Sequence, residues 1–334
     1  MKKAKIIITL GPSTLSNNNL NKLKNLNISL FRINLSHTSL NQLKKYLKKI
    51  KKHNLSPICI DTEGAQIRTF DVNKRFLKIN EEVFLGNNLK KNTKNINLYP
   101  DFKFKNIRIN SHVSIGFEGL KIQIKQVNEK FLKGRVIEAG IIESNKGVHF
   151  QNTIKLNALT KKDIECIKFA KKNNVKIFAL SFANNKESVD EIKKYVSKKD
   201  TIISKIESKN GFIKRKEIIK NSNMILIDRG DLSRYIEISK IPIAQKIIAK
   251  DCKKLKKSLY IATNLLETMI DKKLPTRAET NDIFNSLLDG ANGLVLAAET
   301  AIGKNPFESI KFLNTCINSF QNFKKKKKLN YLFK

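Results

Sequence analysis

Short apolar runs alternate with amphipathic segments along most of the chain. The runs are apolar at nearly every position and rich in β-branched residues, which is typical of strands buried on both faces of a parallel sheet. The intervening segments space their apolar residues as a helix with one buried face does. The eight predicted strands are AKIIITL (4–10), SLFRINL (29–35), PICID (57–61), KIFALSF (176–182), TIISKIE (201–207), MILID (224–228), SLYIATN (258–264) and GLVLAAE (293–299).

Eight strands separated by helices predict an α/β protein with a (β/α)8 TIM barrel. The alternative is an open, doubly wound sheet, which is weakened because no G-x-G-x-x-G motif follows a predicted strand. The clearest helical patterns are SNNNLNKLKNL (16–26), SLNQLKKYLKKI (39–50), KKDIECIKFAKKN (161–173), KESVDEIKKYVSK (186–198) and AETNDIFNSLLDG (278–290).

Residues 70–155 interrupt this alternation. Short strand-like segments with polar turns occupy the interval, and it contains no convincing helix. We predict a small β-barrel domain inserted after the third strand, and a lid over the barrel mouth is a natural use for it. The barrel domain then comprises residues 1–69 and 156–325, followed by a basic tail at 326–334.

The charge balance favours anionic partners, since the chain has 66 Lys and Arg residues but only 29 Asp and Glu residues, for a net charge of +37. The lysines are scattered through every amphipathic segment, however, and the 7% of aromatic residues offer no stacking platform, so nucleic acid is not expected as a partner. No apolar run reaches the length of a membrane span. Four cysteines without a C-x-x-C pair suit the reduced thiols of a cytoplasmic protein.

Polar and charged residues follow the predicted strands. In a (β/α)8 barrel the active site forms at the C-terminal ends of the strands, so these residues are expected on one rim. Six strands contribute to the set, which contains Arg32, Asn34, Ser36 and His37; Asp61, Thr62, Glu63 and Arg68; Lys205 and Glu207; Arg229, Gly230 and Asp231; Thr263 and Asn264; Glu299 and Thr300.

The chemistry of this set suits phosphoryl transfer, in which positioning and electrostatics do most of the work. Glu207 and Asp231 are hard oxygen ligands suited to Mg²⁺ or Mn²⁺. Lys205 and Arg32 can hold a phosphoryl group, and Thr263 can position a proton or a water. A further group offers several oxygens but one full negative charge, which suits a monovalent cation: Asn34, Ser36, Asp61 and Thr62.

Individually, these residues also have ordinary structural explanations. Glu207 and Lys205 can form a buried salt bridge, and Asp231 can cap the following helix. His37 can be a capping or surface residue. The whole set carries the hypothesis, because unrelated structural residues would not all fall at strand ends.

Several segments, in order along nearly the whole chain, resemble the pyruvate kinase family. They are KAKIIITLGPST, FRINLSH, DTEGAQIRT, SNKGVHFQNTIKLNALTKKD, ISKIES, IDRGDL, IATNLLETM and LPTRAETNDIFNSLLDGANGLVLAAETAIGKNP. The resemblance implies a barrel with an inserted lid domain. It also implies the glycolytic transfer of phosphate from phosphoenolpyruvate to ADP, giving pyruvate and ATP. The family's C-terminal domain, which carries allosteric sites and part of the tetramer contact, is expected to be absent, and the oligomeric state stays open, with a homo-oligomer through barrel contacts as one option.

The resemblance also implies roles for the site residues. Lys205, Arg32 and Thr263 would be catalytic, and Gly230 and Asp231 would join them in binding substrate. The implied Mg²⁺ ligands are Glu207 and Asp231, the implied K⁺ ligands are Asn34, Ser36, Asp61 and Thr62, and the implied nucleotide contacts are Asn34, His37, Arg68 and Lys146.

Several positions near the site depart from the family pattern. Glu63 replaces a basic residue, and Asp228 replaces a small alanine close to where a substrate carboxylate should lie. Ala297 and Ala298 replace a serine and a glycine and could disturb proton delivery. Gln66 replaces the residue associated with K⁺ dependence, so that dependence is open.

Three hypotheses follow. The first is a pyruvate kinase that uses Mg²⁺ or Mn²⁺ and lacks allosteric control. The second is a related enzyme acting on another small phosphorylated or carboxylate-bearing substrate. The third is a catalytically weak binding protein whose positive surface binds RNA. The intact set of Arg32, Lys205, Glu207 and Asp231 argues against the third.

Overall fold

The computed structural model describes residues 3–116, 119–152 and 154–325. These residues form two compact units, one built from the chain up to Gly64 and from Lys161 onward, and one from Ala65–Thr160. The predicted insertion at 70–155 lies within the second unit. The predicted basic tail at 326–334 lies outside the described residues.

The described strands are short, as expected for a barrel and its insertion. In chain order they are β1 (Lys5–Thr9), β2 (Leu30–Asn34), β3 (Ile58–Asp61), β4 (Ile67–Phe70), β5 (Arg75–Leu77), β6 (Glu82–Gly86), β7 (Asn95–Tyr99), β8 (His112–Ile115), β9 (Leu120–Val127), β10 (Phe131–Glu138), β11 (Gly140–Ile142), β12 (Gly147–Phe150), β13 (Ile177–Leu180), β14 (Thr201–Ile206), β15 (Met224–Asp228), β16 (Ser258–Ala262) and β17 (Gly293–Leu296).

The helices follow the barrel strands, and several begin at side-chain caps. Ser39 and Gln42 form a capping box at one helix start, and Thr276 and Glu279 form another. The helices are α1 (Asn17–Leu23), α2 (Leu40–Lys52), α3 (Lys161–Lys172), α4 (Lys186–Lys193), α5 (Lys209–Ile213), α6 (Arg215–Asn221), α7 (Arg229–Leu232), α8 (Ile241–Lys254), α9 (Arg277–Leu288), α10 (Ala298–Ala301) and α11 (Pro306–Lys324).

The first unit is a closed parallel barrel whose strands run in the order β1-β17-β16-β15-β14-β13-β3-β2. Each of the eight predicted strands is present, so the predicted (β/α)8 TIM barrel is confirmed. Gly293 leaves room for Tyr260, because a Cβ at Gly293 would lie 2.4 Å from the tyrosine ring. One buried cluster takes residues from every strand and fills the barrel interior: Ile7, Leu30, Cys59, Ala179, Ile203, Leu226, Tyr260, Ala262 and Val295.

The second unit is a closed seven-stranded barrel in the order β10-β6-β7-β4-β12-β8-β9, with β5 and β11 as a separate antiparallel pair. Strands β9 and β10 alternate buried and more exposed residues, as expected when one face packs on a core. That core includes Val83, Leu85, Ile122, Leu132 and Val136. The predicted small β-barrel is therefore confirmed, and its use as a lid stays a prediction.

No helix within the described ranges is long and apolar enough to cross a bilayer. All four cysteines are free thiols; Cys59, Cys166 and Cys252 are buried, and Cys316 is half-buried.

Candidate active site

Lys205, on β14, stands at the centre of a buried ion-pair network at the C-terminal ends of the barrel strands. Its side chain is 6% exposed, and Nζ lies 2.9 Å from Oε1 of Glu207, 3.2 Å from Oδ2 of Asp61 and 3.0 Å from Oγ of Ser181. Burial acts to lower the pKa of Lys205, but the charges of Asp61, Glu207 and Asp228 outweigh it and raise that pKa above its ordinary value. The ammonium group is therefore held in its charged form.

Asp61, at the end of β3, joins two cations. Its Oδ2 atom lies 3.2 Å from Lys205 Nζ and 3.3 Å from Nη1 of Arg32, which comes from β2. The Arg32 side chain is 5% exposed, yet within the described structure its Nε atom has no hydrogen-bond acceptor, and its Nη1 atom, although paired with Asp61, is not aligned to donate a hydrogen bond to it. A buried guanidinium with spare donors is suited to an anionic ligand, because unused buried donors are costly. We call Arg32, Asp61 and Lys205 the cation cluster.

Glu207 follows β14 directly and is fully buried. Its Oε2 atom accepts a 2.6 Å hydrogen bond from the backbone N–H of Phe182, a residue held at φ +50° after β13. Burial raises the pKa of Glu207, and the nearby charges of Asp228 and Asp231 act in the same direction, whereas Lys205 opposes them. A cation in addition to Lys205 would favour the ionised carboxylate.

Three carboxylates meet beside this network, and we call Glu207, Asp228 and Asp231 the acid cluster. One oxygen from each lies within 4.8 Å of the others. Asp231 also pairs with Arg234 at 3.3 Å. Oxygen atoms from three carboxylates form the donor set that Mg²⁺ or Mn²⁺ prefers, so the residues fit a divalent ion.

Asp228 was not predicted as part of this cluster. The sequence marks it only as a charge near an expected substrate carboxylate. Its position as the last residue of β15, three residues before Asp231, is the signal that could have placed both side chains at one strand end.

Thr263 and Asn264 follow β16 in the left-handed region, at φ +67° and φ +55°. The Thr263 hydroxyl accepts a 2.9 Å hydrogen bond from the Gly230 N–H, and its own proton can go to Asp228 Oδ1 at 3.1 Å or to the Ala262 carbonyl at 2.6 Å. Two consecutive non-glycine residues in this region carry backbone strain, which is common at functional sites.

Arg229 supports this strained turn, a role that the sequence did not indicate. Its Nη2 donates to the Thr263 carbonyl at 2.6 Å, and its Nη1 lies 2.7 Å from Asp282 on α9. The guanidinium therefore ties the ends of β15 and β16 to a helix. Its place between Asp228 and Gly230, directly after β15, was the available signal.

The oxygens predicted for a monovalent cation lie at the ends of β2 and β3. Asn34 Oδ1 accepts a 3.0 Å hydrogen bond from the Ser36 N–H, and Thr62 Oγ1 accepts one of 3.0 Å from the Ser181 N–H. Asp61 is already engaged with the cation cluster and with the Ser181 hydroxyl at 3.1 Å. The neighbouring His37 ends a short 3₁₀ turn and is exposed.

The charge of Glu63 is neutralised locally. Its carboxylate pairs with Lys162 on α3, which also donates to the Leu35 carbonyl at 2.7 Å. The Glu63 backbone N–H donates to Asp163 at 2.8 Å. Glu63 stands where the family has a basic residue, but its pair with Lys162 leaves little net charge at this position.

Glu299 and Thr300 lie in α10, just after the eighth barrel strand, and bind backbone groups. Glu299 accepts hydrogen bonds from the N–H groups of Ala297 at 2.7 Å and Leu266 at 3.2 Å. Thr300 Oγ1 donates to the Thr9 carbonyl at 3.0 Å and accepts from the Thr9 N–H at 3.1 Å. Both residues have a structural explanation in these contacts.

The two predicted nucleotide contacts from the inserted unit lie near each other within that unit. Arg68, on β4, donates to the Asn145 carbonyl at 3.2 Å, and Lys146 pairs with Glu143 at 2.8 Å. Both side chains are half-buried.

The closed parallel barrel, with cationic and carboxylate side chains gathered at its strand ends, places the protein in the class of (β/α)8-barrel enzymes. A family model described as the barrel domain of pyruvate kinase matches residues 1–310, and the chain belongs to the pyruvate kinase family.

Individual relatives agree with this assignment. A pyruvate kinase of Thermotoga maritima is 35% identical, over 94% of this chain and 70% of its own length. One from Methanocaldococcus jannaschii is 36% identical, over 94% of this chain and 68% of its own length. One from Dictyostelium discoideum is 31% identical, over 93% of this chain and 65% of its own length. These matches support a pyruvate kinase-like enzyme over the alternatives of a different substrate or a binding protein.

Proposed function

We propose that the chain transfers a phosphoryl group from phosphoenolpyruvate to ADP, giving pyruvate and ATP. The observation that carries this proposal is the cation cluster beside the acid cluster. Lys205 is locked in its charged form, and Arg32 keeps buried donors without acceptors in the described structure. Such an arrangement suits a phosphoryl group whose oxygens gather negative charge during transfer.

In the proposed reaction, the bond between phosphorus and the enol oxygen breaks, and a bond to a β-phosphate oxygen of ADP forms. Lys205 and Arg32 would contact the phosphoryl oxygens and offset their charge during this step. Asp61 would act as a positioning residue, because it contacts both cations and fixes their separation.

Glu207 and Asp231 would hold Mg²⁺ or Mn²⁺. When bound, the ion would supply Lewis-acid neutralisation of substrate oxygens. Glu207 is fixed for this role by its hydrogen bond from the Phe182 N–H, and Asp231 by its pair with Arg234.

The proposed K⁺ ligands are Asn34, Ser36, Asp61 and Thr62. K⁺ dependence is best tested by comparing turnover in potassium and tetramethylammonium chloride at equal ionic strength. An increase with potassium supports this part of the proposal, and equal rates contradict it.

The substrate carboxylate would be bound by the backbone N–H groups of Gly230 and Asp231 and by the Thr263 hydroxyl. After transfer, the enolate of pyruvate takes a proton at its methylene carbon, and Thr263 would orient that proton. Arg229 would position Thr263 through its carbonyl oxygen.

The nucleotide contacts proposed by resemblance are Asn34, His37, Arg68 and Lys146. Substituting Arg68 or Lys146 by alanine should raise the KM for ADP while leaving the KM for phosphoenolpyruvate near the unsubstituted value. Equal changes in both constants would contradict a nucleotide-specific role.

The reaction is tested by a coupled assay that follows pyruvate formation from phosphoenolpyruvate and ADP with Mg²⁺ and K⁺. Lys205→Met should lower kcat by about 10³-fold, because a preorganised buried cation is lost. Lys193→Met, at an exposed lysine paired with Asp190 on α4, is the matched control. Failure of the unsubstituted chain to form pyruvate, or full activity in Lys205→Met, would refute the proposal.

The two compact units are proposed to be two domains, and the location is proposed to be cytoplasmic. The four free thiols support a reducing compartment. A homo-oligomer through barrel contacts stays a prediction, and analytical ultracentrifugation tests it directly.

A further inference from the structure

Asp228 contributes a carboxylate that is already bound by hydrogen-bond donors of the barrel rim. Its side chain lies at the end of β15 and the residue is 7% exposed. Its Oδ1 atom accepts from the backbone N–H of Asp231 at 3.4 Å and lies 3.1 Å from the Thr263 hydroxyl, which can donate to it. The same oxygen therefore faces one backbone donor and one side-chain donor.

Gly230 brings the backbone close to this oxygen. A Cβ at Gly230 would lie 3.5 Å from Asp228 Oδ1 and 3.6 Å from Thr263 Oγ1. The Gly230 N–H itself is taken by Thr263 Oγ1 at 2.9 Å. The Asp231 N–H and the Thr263 hydroxyl thus face one carboxylate, which belongs to the chain itself, and the Gly230 N–H holds Thr263 in place.

The charge of Asp228 is less compensated than that of its neighbours. Glu207 pairs with Lys205, and Asp231 pairs with Arg234. Across the described ranges, no Lys, Arg or His nitrogen lies within 4.0 Å of an Asp228 carboxylate oxygen. A second carboxylate arriving at this place meets both a filled set of donors and an unpaired negative charge.

We propose that Asp228 is a specificity-determining residue that occupies, with its own carboxylate, the donors needed by the carboxylate of a substrate. The inference rests on the proposed function, because the competing ligand is the carboxylate of phosphoenolpyruvate. A bound substrate must displace Asp228 from the Asp231 N–H and must compete with Asp228 and the Ala262 carbonyl for the Thr263 hydroxyl proton. Asp228 therefore weakens binding of carboxylate-bearing phosphates and leaves phosphate binding at Lys205 and Arg32 largely unaffected.

The test is calorimetric binding of two ligands, phosphoenolpyruvate and inorganic phosphate, to the full chain with Mg²⁺ and without ADP. Asp228→Ala should lower the dissociation constant of phosphoenolpyruvate by about tenfold or more, since the substitution removes a like charge and frees two hydrogen-bond donors. The affinity for inorganic phosphate should change less than about threefold, because charge effects fall with distance and solvent screening. Asp228→Asn keeps the shape and removes the charge, so it should give an intermediate gain.

Asp190→Ala, at an exposed acid on α4, is the control and should change neither affinity. Melting temperatures of all variants check that they fold. Unchanged or weaker phosphoenolpyruvate binding in both Asp228 variants overturns the inference. Equal tightening of both ligands also overturns it, because that result reports a general charge effect rather than occupied donors. Weaker Mg²⁺ binding without tighter phosphoenolpyruvate binding would assign Asp228 to the metal instead.

Turnover separates this inference from the proposed function. If the unsubstituted chain forms pyruvate and the Asp228 variants bind phosphoenolpyruvate no better, the function stands and the inference fails. If neither chain forms pyruvate but Asp228→Ala binds phosphoenolpyruvate selectively more tightly, the inference stands and the function fails.

Discussion

The cation cluster and the acid cluster lie on one rim of the barrel but differ in how their charges are compensated. In the cation cluster, Asp61 contacts both Arg32 and Lys205, so the charges are paired within the protein. In the acid cluster, three carboxylates gather, and Asp228 has no ion-pair partner among the described residues. The cation cluster is held by its own contacts, whereas the acid cluster concentrates negative charge that a bound cation would offset.

Removing the central cation should have the largest effect on stability. Lys205→Met leaves Asp61 and Glu207 buried beside fewer positive charges, and breaking a buried pair costs about 3–5 kcal/mol of unfolding free energy. Urea unfolding without divalent ions measures the change. The exposed control Lys193→Met should stay within about 0.5 kcal/mol. Equal stabilities for the two variants would show that the network contributes nothing to the fold.

A divalent ion should stabilise the protein through the acid cluster. Mn²⁺ at about 100 times its dissociation constant adds about 2.7 kcal/mol to the unfolding free energy. Thermal unfolding with and without Mn²⁺ measures the gain, and EDTA should reverse it. In Glu207→Gln the gain should largely disappear. A gain of the same size in that variant would place the ion elsewhere.

Relieving the repulsion within the acid cluster should raise stability when no divalent ion is present. Asp228→Asn retains a helix-capping side chain, since Asn and Asp cap equally well. Loss of one of three crowded negative charges is expected to add about 1 kcal/mol to the unfolding free energy, in line with single close charge interactions near a surface. Urea unfolding in the presence of EDTA measures this change in the unfolding free energy. Destabilisation by Asp228→Asn would mean that the carboxylate is compensated after all.

The ion pair of Glu63 with Lys162 should show the smallest coupling. Lys162 is 27% exposed at its side chain, so solvent weakens the attraction. A double-mutant cycle with Glu63→Ala and Lys162→Ala should return a coupling of about 0.5–1 kcal/mol. Zero coupling would show that Lys162 does not compensate the charge of Glu63.

The barrel could be predicted from the sequence because parallel strands that are buried on both faces are apolar at nearly every position. TIISKIE and MILID are examples of such runs. The order of charged residues at strand ends also follows from chain position, so Lys205 and Glu207 could be placed on one rim. The two-residue spacing in KIE predicts that both side chains point to the same side of an extended segment, and Glu207 directly follows β14.

Contacts between distant side chains could not be predicted in this way. Asp228 contacts Thr263, which lies in the left-handed turn after β16, and Arg229, the first residue of α7, supports that turn by donating to the Thr263 carbonyl. The compensation of Glu63 by Lys162 joins the ends of two distant segments. The strand pairing of β4 with β12 and β7, which closes the small barrel, likewise depends on long-range pairing rather than local pattern.

The most direct test is a crystal structure of the chain with Mn²⁺ and phosphoenolpyruvate, using the anomalous signal of the metal. We expect the Mn²⁺ peak at about 2.2 Å from carboxylate oxygens of Glu207 and Asp231, with the phosphoryl group in contact with Lys205 Nζ and Arg32. A metal peak away from those two carboxylates, or a phosphoryl group bound away from Lys205, would contradict the proposed site.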